Sequence, residues 1–396
     1  LTPAFTTGKI KRMIDIIKEC GQTATENFRT AAKRGKPLQA KSIYGAFAMD
    51  VIPVLLSVKL IHNDTKKINL LNSQRSIFNG FLDQLIIFLL FPKLAKFFKV
   101  PILSPKPLEF FRNVILQIME ERKNTGQTRN DFLQLLMATL KQNAEELKVD
   151  SGNEEKDVLS DYGHDESTDP IAKFVSNKNL TLNAAVAQSI SFFTAGFDTI
   201  ASTLSFATYL LAVHPEIQDR MYEEVRQVLQ KTEGELTYEA IQEMKYLDNV
   251  LSETLRLYPV IPRLERMTEA DCKLGDTGIV VPKGMVIVIP TYALHQDPKL
   301  FPDPEKFDPD RFLPEERAKR DSYAYLPFGD GPRHCIGMRF ALIEVKTCLA
   351  YVIANFKMHR CPETKVPLEF CLGPGLLIPK DIALRFEERT DKIPLK

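Results

Sequence analysis

The stretch Pro327-Phe328-Gly329-Asp330-Gly331-Pro332-Arg333-His334-Cys335-Ile336-Gly337 sets one cysteine in a glycine-rich loop. The loop opens directly onto an apolar segment, Met338 to Phe356, that reads as a helix. Glycine reaches positive φ without a Cβ clash, so Gly331 and Gly337 let the backbone fold tightly around the sulfur. The sulfur is presented, not packed. A cysteine just ahead of a helix faces unpaired backbone N–H groups and the positive end of the helix dipole, and both favour thiolate over thiol. Arg333 adds a fixed cation two residues away. A lone cysteine in an apolar segment is more often a buried structural residue, but the glycines and the arginine here argue for a ligating or reactive one.

The rest of the chain can bury a sizeable core: 396 residues, 44 % of them hydrophobic, make one large domain or two to three ordinary ones. Charge is nearly balanced, 52 basic against 51 acidic residues, which gives no hint of a nucleic-acid partner. The six cysteines, Cys20, Cys272, Cys335, Cys348, Cys361 and Cys371, form no CxxC pair, so neither a zinc site nor a disulfide framework is indicated and a reducing compartment fits. The chain opens on Leu1-Thr2-Pro3, with no Met, signal peptide or transit peptide, and reads as truncated at its N-terminus.

Helical periodicity dominates. Lys9 to Arg34 is amphipathic, with Ile10, Met13, Ile14, Ile17, Ala24 and Phe28 on one side; Ala46 to Leu60 and Leu71 to Leu90 continue in the same pattern. Leu85 to Val100 interleaves apolar residues with Lys93, Lys96 and Lys99. It is too short to span a membrane and reads either as core or as a surface dipping into a membrane interface. Between Glu145 and Asp169 ten acidic residues face two lysines, which reads as a flexible surface loop. Pro215 to Gln230 and Tyr238 to Tyr258 are further helices. Ile279 to Val281 and Met285 to Ile289 read as a hairpin about Pro282-Lys283-Gly284, and Ile382 to Phe386 is a late strand.

From Ala184 to Ala212 the only charged side chain is Asp198. The length would cross a bilayer, but nine polar residues in its middle favour a helix through the centre of a large soluble domain. At its heart lies Ala195-Gly196-Phe197-Asp198-Thr199. Gly196 costs about 1 kcal/mol in a helix interior relative to alanine, and a buried aspartate is expensive unless partnered. Two costs at one place suggest function. Gly196 removes bulk, so a flat group could approach, and Thr199 can bond a carbonyl one turn back, opening the helix locally.

The pattern Phe328-x-x-Gly331-x-Arg333-x-Cys335-x-Gly337 resembles the haem-binding loop of the cytochrome P450 family, and further motifs agree along the chain. Ala195-Gly196-Phe197-Asp198-Thr199 resembles the family's oxygen-activation motif. Glu253-Thr254-Leu255-Arg256 resembles its ExxR pair, with Arg311 of Phe307-Asp308-Pro309-Asp310-Arg311-Phe312 completing a triad. Arg263-Leu264-Glu265-Arg266 and Gly337-Met338-Arg339-Phe340-Ala341 are similar to the animal drug- and toxin-metabolising branch, family 3 and its insect relatives in family 6.

The resemblance implies a mainly α fold with a small β region, a single cytochrome P450 domain over residues 1–396 that lacks its N-terminal part. The anchor and the helix whose Trp and Arg bind a propionate are among what is missing, and the sequence has no Trp. It implies that Cys335 is the axial ligand of haem b iron, that Arg333 and Arg263 pair with propionates, and that Phe328, Gly331, Gly337, Ala195 and Gly196 complete the cofactor site. Asp198 and Thr199 would organise water and relay protons to the reacting oxygen. Glu253, Arg256 and Arg311 would be structural, while Phe192, Phe193, Val260, Ile261 and Leu376 would line a cavity for a hydrophobic small molecule.

The implied activity is insertion of one atom of O2 into a xenobiotic, steroid or fatty-acid-like molecule. Electrons would come from NADPH through NADPH-cytochrome P450 reductase, with cytochrome b5 as a second donor, and the basic loop face at Arg333, His334 and Arg339 is a docking side. The location implied is the cytosolic face of the endoplasmic reticulum membrane. Two rivals stay open: a peroxide-rearranging enzyme of the same fold, against which the intact Asp198-Thr199 pair argues, and a non-catalytic fragment deficient in haem.

Overall fold

The apolar stripe of Ile10, Met13, Ile14, Ile17, Ala24 and Phe28 is buried along its whole length in the computed structural model of the chain, as a helical period requires. The structure describes residues 7–33, 35–55, 91, 97, 101, 104–127, 133–134, 136–140, 181–371 and 375–395. The helical pattern expected at Leu71 to Leu90, the acidic segment Glu145 to Asp169 and nearly all of the Leu85 to Val100 segment lie outside those residues. In chain order the described α-helices of five or more residues are α1 (Thr7–Ala32), α2 (Ala40–Leu55), α3 (Pro105–Thr125), α4 (Leu182–Val213), α5 (Pro215–Lys231), α6 (Tyr238–Glu243), α7 (Lys245–Leu257), α8 (Thr291–His295) and α9 (Met338–Asn355). Strands are short and mostly late: β1 (Leu38–Gln39), β2 (Leu264–Met267), β3 (Cys272–Lys273), β4 (Val280–Val281), β5 (Val286–Ile289), β6 (Phe356–His359), β7 (Phe370–Cys371), β8 (Ile378–Pro379) and β9 (Ala383–Glu388). The fold is mainly α with a small β part.

The chain forms two compact units. One comprises Pro53–Gly80 and Lys93–Thr194. In it α3 meets the first half of α4, where Phe111 stacks on Phe193 with ring centroids 4.6 Å apart and Arg112 reaches the Asn183 side-chain oxygen at 3.5 Å. The other comprises Leu1–Ile52, Phe81–Pro92 and Ala195–Lys396. Its centre is α9, apolar on every face and buried continuously from Ile343 to Ala354. Helix α1 lies along it, and Phe28 carries the packing on to Tyr44, Phe356 and Phe386. The chain leaves α9 through β6, which pairs with β9, and the other edge of β9 takes β1. Gln218 of α5 brackets that strand: its amide accepts from Met358 N at 2.8 Å and donates to Met358 O at 2.9 Å.

The polar residues of α4 are reconciled with burial by back-bonding. Ser189, Ser191, Thr194, Thr199, Thr203, Ser205 and Thr208 each donate a hydroxyl to the carbonyl four residues earlier, at 2.6–3.0 Å. Helix α4 is the one described helix long and apolar enough to cross a bilayer, and 78 % of that stretch is buried inside the protein.

Two sequence expectations change. Tyr238 to Tyr258 is not one helix but α6 and α7, broken at Met244, because Glu224 of α5 caps the second: its carboxylate accepts from Tyr246 N at 2.6 Å and Leu247 N at 2.8 Å. Nor do β4 and β5 pair with each other. β5 pairs with β2, and β4 with β3, so one ladder is nested inside another. Thr268 closes the inner loop by donating its hydroxyl to Pro282 O at 2.6 Å.

Where α1 crosses α9, a Cβ on Gly21 would stand 2.7 Å from Cδ2 of the buried Tyr351 ring. Gly21→Val should therefore lower the unfolding free energy by about 1–3 kcal/mol through overpacking. Gly21→Ala should cost less, since alanine regains about 1 kcal/mol of helix propensity. Urea unfolding midpoints of the three proteins test the order.

Candidate active site

The Cys335 loop is held by its own backbone. Cys335 N donates to Phe328 O at 2.8 Å, His334 N to Gly331 O at 3.0 Å, and Ala341 N to Gly337 O at 2.8 Å as α9 begins. Two positions need left-handed backbone, Gly329 at φ 70° and Gly331 at φ 74°. Gly337, expected to be one of them, sits at φ −87° as the residue before α9. Its contribution is space, since nothing lies within 4 Å of where its Cβ would stand. Gly329 backs onto Leu264 of β2, 3.8 Å from its Cβ position.

The sulfur faces the backbone N–H groups of Gly337 and Met338, as a cysteine at a helix start should. The expected depression of its pKa does not follow. Burial pushes the Cys335 thiol up, more strongly than the two N–H groups pull it down. Arg333, exposed, is not among the groups acting on it. By surface area Cys335 is exposed, so its sulfur is open on one side and enclosed by protein on the others. A sulfur so placed could take a soft metal ion on its open side, and the metal would hold it as thiolate. Among the described residues no cluster of three His, Cys, Asp or Glu could hold a metal ion.

Beneath the loop, Glu253 and Arg256 of α7 form a pair with neither side chain exposed. The guanidinium forks onto the carboxylate at 2.6 and 2.9 Å and donates to His295 O (2.8 Å), Pro304 O (2.8 Å) and Lys306 O (3.2 Å). Glu253 also accepts from Asp308 N at 2.9 Å, and Arg311 lies 3.4 Å from it while donating to Asp303 O. Structure and sequence agree that these three residues meet.

Sequence reasoning missed His295. Wholly buried at the end of α8, it stacks on Tyr325 and accepts from Leu326 N at 3.0 Å through Nε2, so the start of the Cys335 loop hangs from a neutral imidazole. A single histidine in a short helix carries no sequence signal for that.

On α4 the helix runs unbroken through Ala195–Thr199. Thr199 donates to Ala195 O at 2.7 Å, as expected, yet without opening the helix. Asp198 is half-buried, with Lys41 of α2 3.7 Å away. The reading of Gly196 as room for a flat group is corrected: a Cβ there would meet Ile52 Cδ1 at 3.0 Å, so the missing side chain makes way for α2. Ala195, one residue earlier, is exposed.

Of the expected apolar lining, Val260, Ile261 and Leu376 come together, because Leu377 N donates to Val260 O at 2.8 Å. Val260 is buried and Ile261 is 41 % exposed. Phe193 is corrected from cavity lining to packing, since it is buried against Phe111. Phe192 is half-buried in the same turn. Arg263 is exposed and paired with Glu265 at 2.8 Å.

A family model described as Cytochrome P450 matches residues 1–386. The chain is 38 % identical over 395 residues to Cytochrome P450 3A31 of Mesocricetus auratus, covering 98 % of this chain and 72 % of that protein. It is 38 % identical over 397 residues to Cytochrome P450 3A11 of Mus musculus, with coverage of 98 % and 72 %. With Cytochrome P450 3A7 of Homo sapiens the identity is 36 % over 404 residues, covering 99 % and 73 %.

Burial, and secondarily Arg256, push the His295 imidazole down from 6.5 to about 4. The group stabilises the fold fully above pH 6.5, where it is neutral in both states. As pH falls towards 4 the unfolded chain takes up the proton first, and that stability is lost. Between pH 7 and pH 5 the loss should be about 2 kcal/mol. Unfolding midpoints at the two pH values should converge in His295→Gln by that amount relative to wild type.

Proposed function

The chain belongs to the cytochrome P450 family, whose members are haem-thiolate monooxygenases, and we propose that Cys335 is the thiolate that ligates its haem iron, the prosthetic group being haem b. The observation that carries the assignment is an exposed sulfur on a glycine-shaped loop, with the Gly337 and Met338 N–H groups turned towards it. Those two donors hydrogen-bond the thiolate and damp its charge. Gly331 keeps the loop tight, Gly337 leaves the approach clear, and Phe328, through its carbonyl, fixes the Cys335 backbone. Arg333 has no ion-pair partner among the described residues and is available to a propionate; Arg263 would first have to leave Glu265.

Held by Cys335, haem would supply the activation of dioxygen, the thiolate's electron density favouring O–O cleavage for entry of one atom into the substrate and release of the other as water. Protons for that water come through Asp198 and Thr199. The Thr199 hydroxyl hydrogen is committed to Ala195 O, so its oxygen is an acceptor for a water or a protonated oxygen. Asp198, half-buried, connects that oxygen with solvent and moves the proton. Exposed Ala195 leaves the helix surface open to the cofactor.

The substrate is a lipophilic small molecule, a reading supported by the grouping of Val260, Ile261 and Leu376. Electrons come from NADPH through a flavoprotein reductase, with cytochrome b5 as a second donor, because the sequence carries no nucleotide- or flavin-binding fingerprint. Exposed Arg333, His334 and Arg339 form the docking side. The enzyme works as one domain on the cytosolic face of the endoplasmic reticulum membrane.

The carbon-monoxide difference spectrum of the reduced protein should show the long-wavelength Soret band of thiolate ligation, and Cys335→Ala should abolish it. A band unchanged in Cys335→Ala rejects the ligand assignment. With reductase supplied, Asp198→Asn should slow NADPH oxidation roughly 10²-fold, the usual scale of a lost proton-transfer group. Thr199→Ala should instead divert reducing equivalents to hydrogen peroxide, measured as peroxide released per NADPH.

A further inference from the structure

Helix α2 is built to lie close against the acid–alcohol turn of α4. A Cβ on Gly45 would stand 3.4 Å from Phe197 Cζ, and one on Gly196 would stand 3.0 Å from Ile52 Cδ1, so each helix gives up a side chain where the other approaches. In the first turn of α2 the same face carries Lys41, whose Nζ is 3.7 Å from Asp198 Oδ1. Asp198 is the one charged residue between Ala184 and Ala212, and Lys41 is its one ion-pair partner among the described residues.

We propose that Lys41 is a positioning residue for Asp198: its ammonium biases which way the carboxylate points without locking it, and thereby sets how readily Asp198 hands on a proton. The proposal rests on the reading of Asp198 as the proton-delivering acid. Three features of the pair suit the task. At 3.7 Å it is held by charge without a direct hydrogen bond, so it opens without breaking one, or takes a water between its members. Both side chains are partly exposed, 30 % for Lys41 and 22 % for Asp198, so the carboxylate meets solvent and ammonium at once. A lysine, a point charge on a flexible stem, can follow the carboxylate as it turns, where a carboxylate facing no cation would have no preferred orientation.

The test uses the full-length enzyme with haem and reductase and reads NADPH oxidation in H2O and D2O, after subtraction of the reductase alone, for wild type, Lys41→Met, Lys41→Arg, Asp198→Asn and Lys41→Met with Asp198→Asn. No knowledge of the substrate is needed. Lys41→Met should slow oxidation roughly 2- to 5-fold, the scale of one partly exposed ion pair. It should also enlarge the solvent isotope effect while leaving the thiolate Soret band in place. Lys41→Arg should restore both values, and the double variant should be no slower than Asp198→Asn alone. In urea the midpoint lost in Lys41→Met should be absent in the Asp198→Asn background.

A wild-type rate and isotope effect in Lys41→Met, beside a slow Asp198→Asn, overturns the proposal and leaves Asp198 as the acid. The urea coupling without the kinetic one also overturns it, reducing the pair to a structural contact. An Asp198→Asn that oxidises NADPH at the wild-type rate removes the reading of Asp198, and the proposal with it. Should Lys41→Met lose the Soret band, Lys41→Gln carries the same comparisons.

Discussion

Glu253 and Arg256 are a buried pair of opposite charges, and a buried charge is tolerable only where its hydrogen-bonding groups are matched. That requirement organises a long irregular segment. Between the end of α8 and the Cys335 loop the chain makes only short helical turns, around a small buried cluster of Phe301, Phe312 and Ala324. The guanidinium takes carbonyls 295, 304 and 306, and the carboxylate takes amide 308. Such a pair adds little net stability over an apolar replacement of the same shape. What it provides is a defined path: any other course of the segment leaves a charge unmatched in the core. His295 extends the same logic, holding Arg256 by its carbonyl and Leu326 by its ring.

With the segment so held, the loop can spend its residues on presenting a sulfur. Gly329 and Gly331 take backbone that other residues avoid, and Gly337 leaves the approach open. None of these choices buries apolar surface, so the loop has no packing energy of its own. It depends on the charge network on one side and on α9, buried along its length, on the other.

Much of this was legible in the sequence. The cysteine loop, the amphipathic α1 and the buried α4 follow from periodicity and from a motif whose members lie near in the chain, while the meeting of Glu253 and Arg256 with the distant Arg311 follows from the family resemblance. The failures share a cause, which is that each depends on a partner distant in sequence. Met244 breaks a helix because Glu224 caps the next one. β4 and β5 look like a hairpin because period-two patterns mark strands without saying which pair. Gly196 and Phe193 have the right residue types for a site, but only their neighbours, Ile52 and Phe111, reveal that both serve packing. The Cys335 thiol was misread for the same reason, since the nearby N–H groups are visible in sequence and the enclosing protein is not.

The proposed metal ligand and the proposed proton carrier are held in opposite manners, and the difference suits the role proposed for each. A ligand to a metal must not move, and Cys335 sits on short backbone hydrogen bonds continued into a rigid helix. A proton carrier must move, because it takes the proton in one place and gives it up in another. Asp198 stands on an unbroken helix, half-exposed, with its counter-charge beyond hydrogen-bonding distance. A tight bidentate pair like that of Glu253 would hold a carboxylate in one orientation and stop the transfer. The fold thus contains both kinds of carboxylate–cation pair, forked at 2.6 and 2.9 Å in one and loose at 3.7 Å in the other, and only the second leaves its carboxylate free to turn.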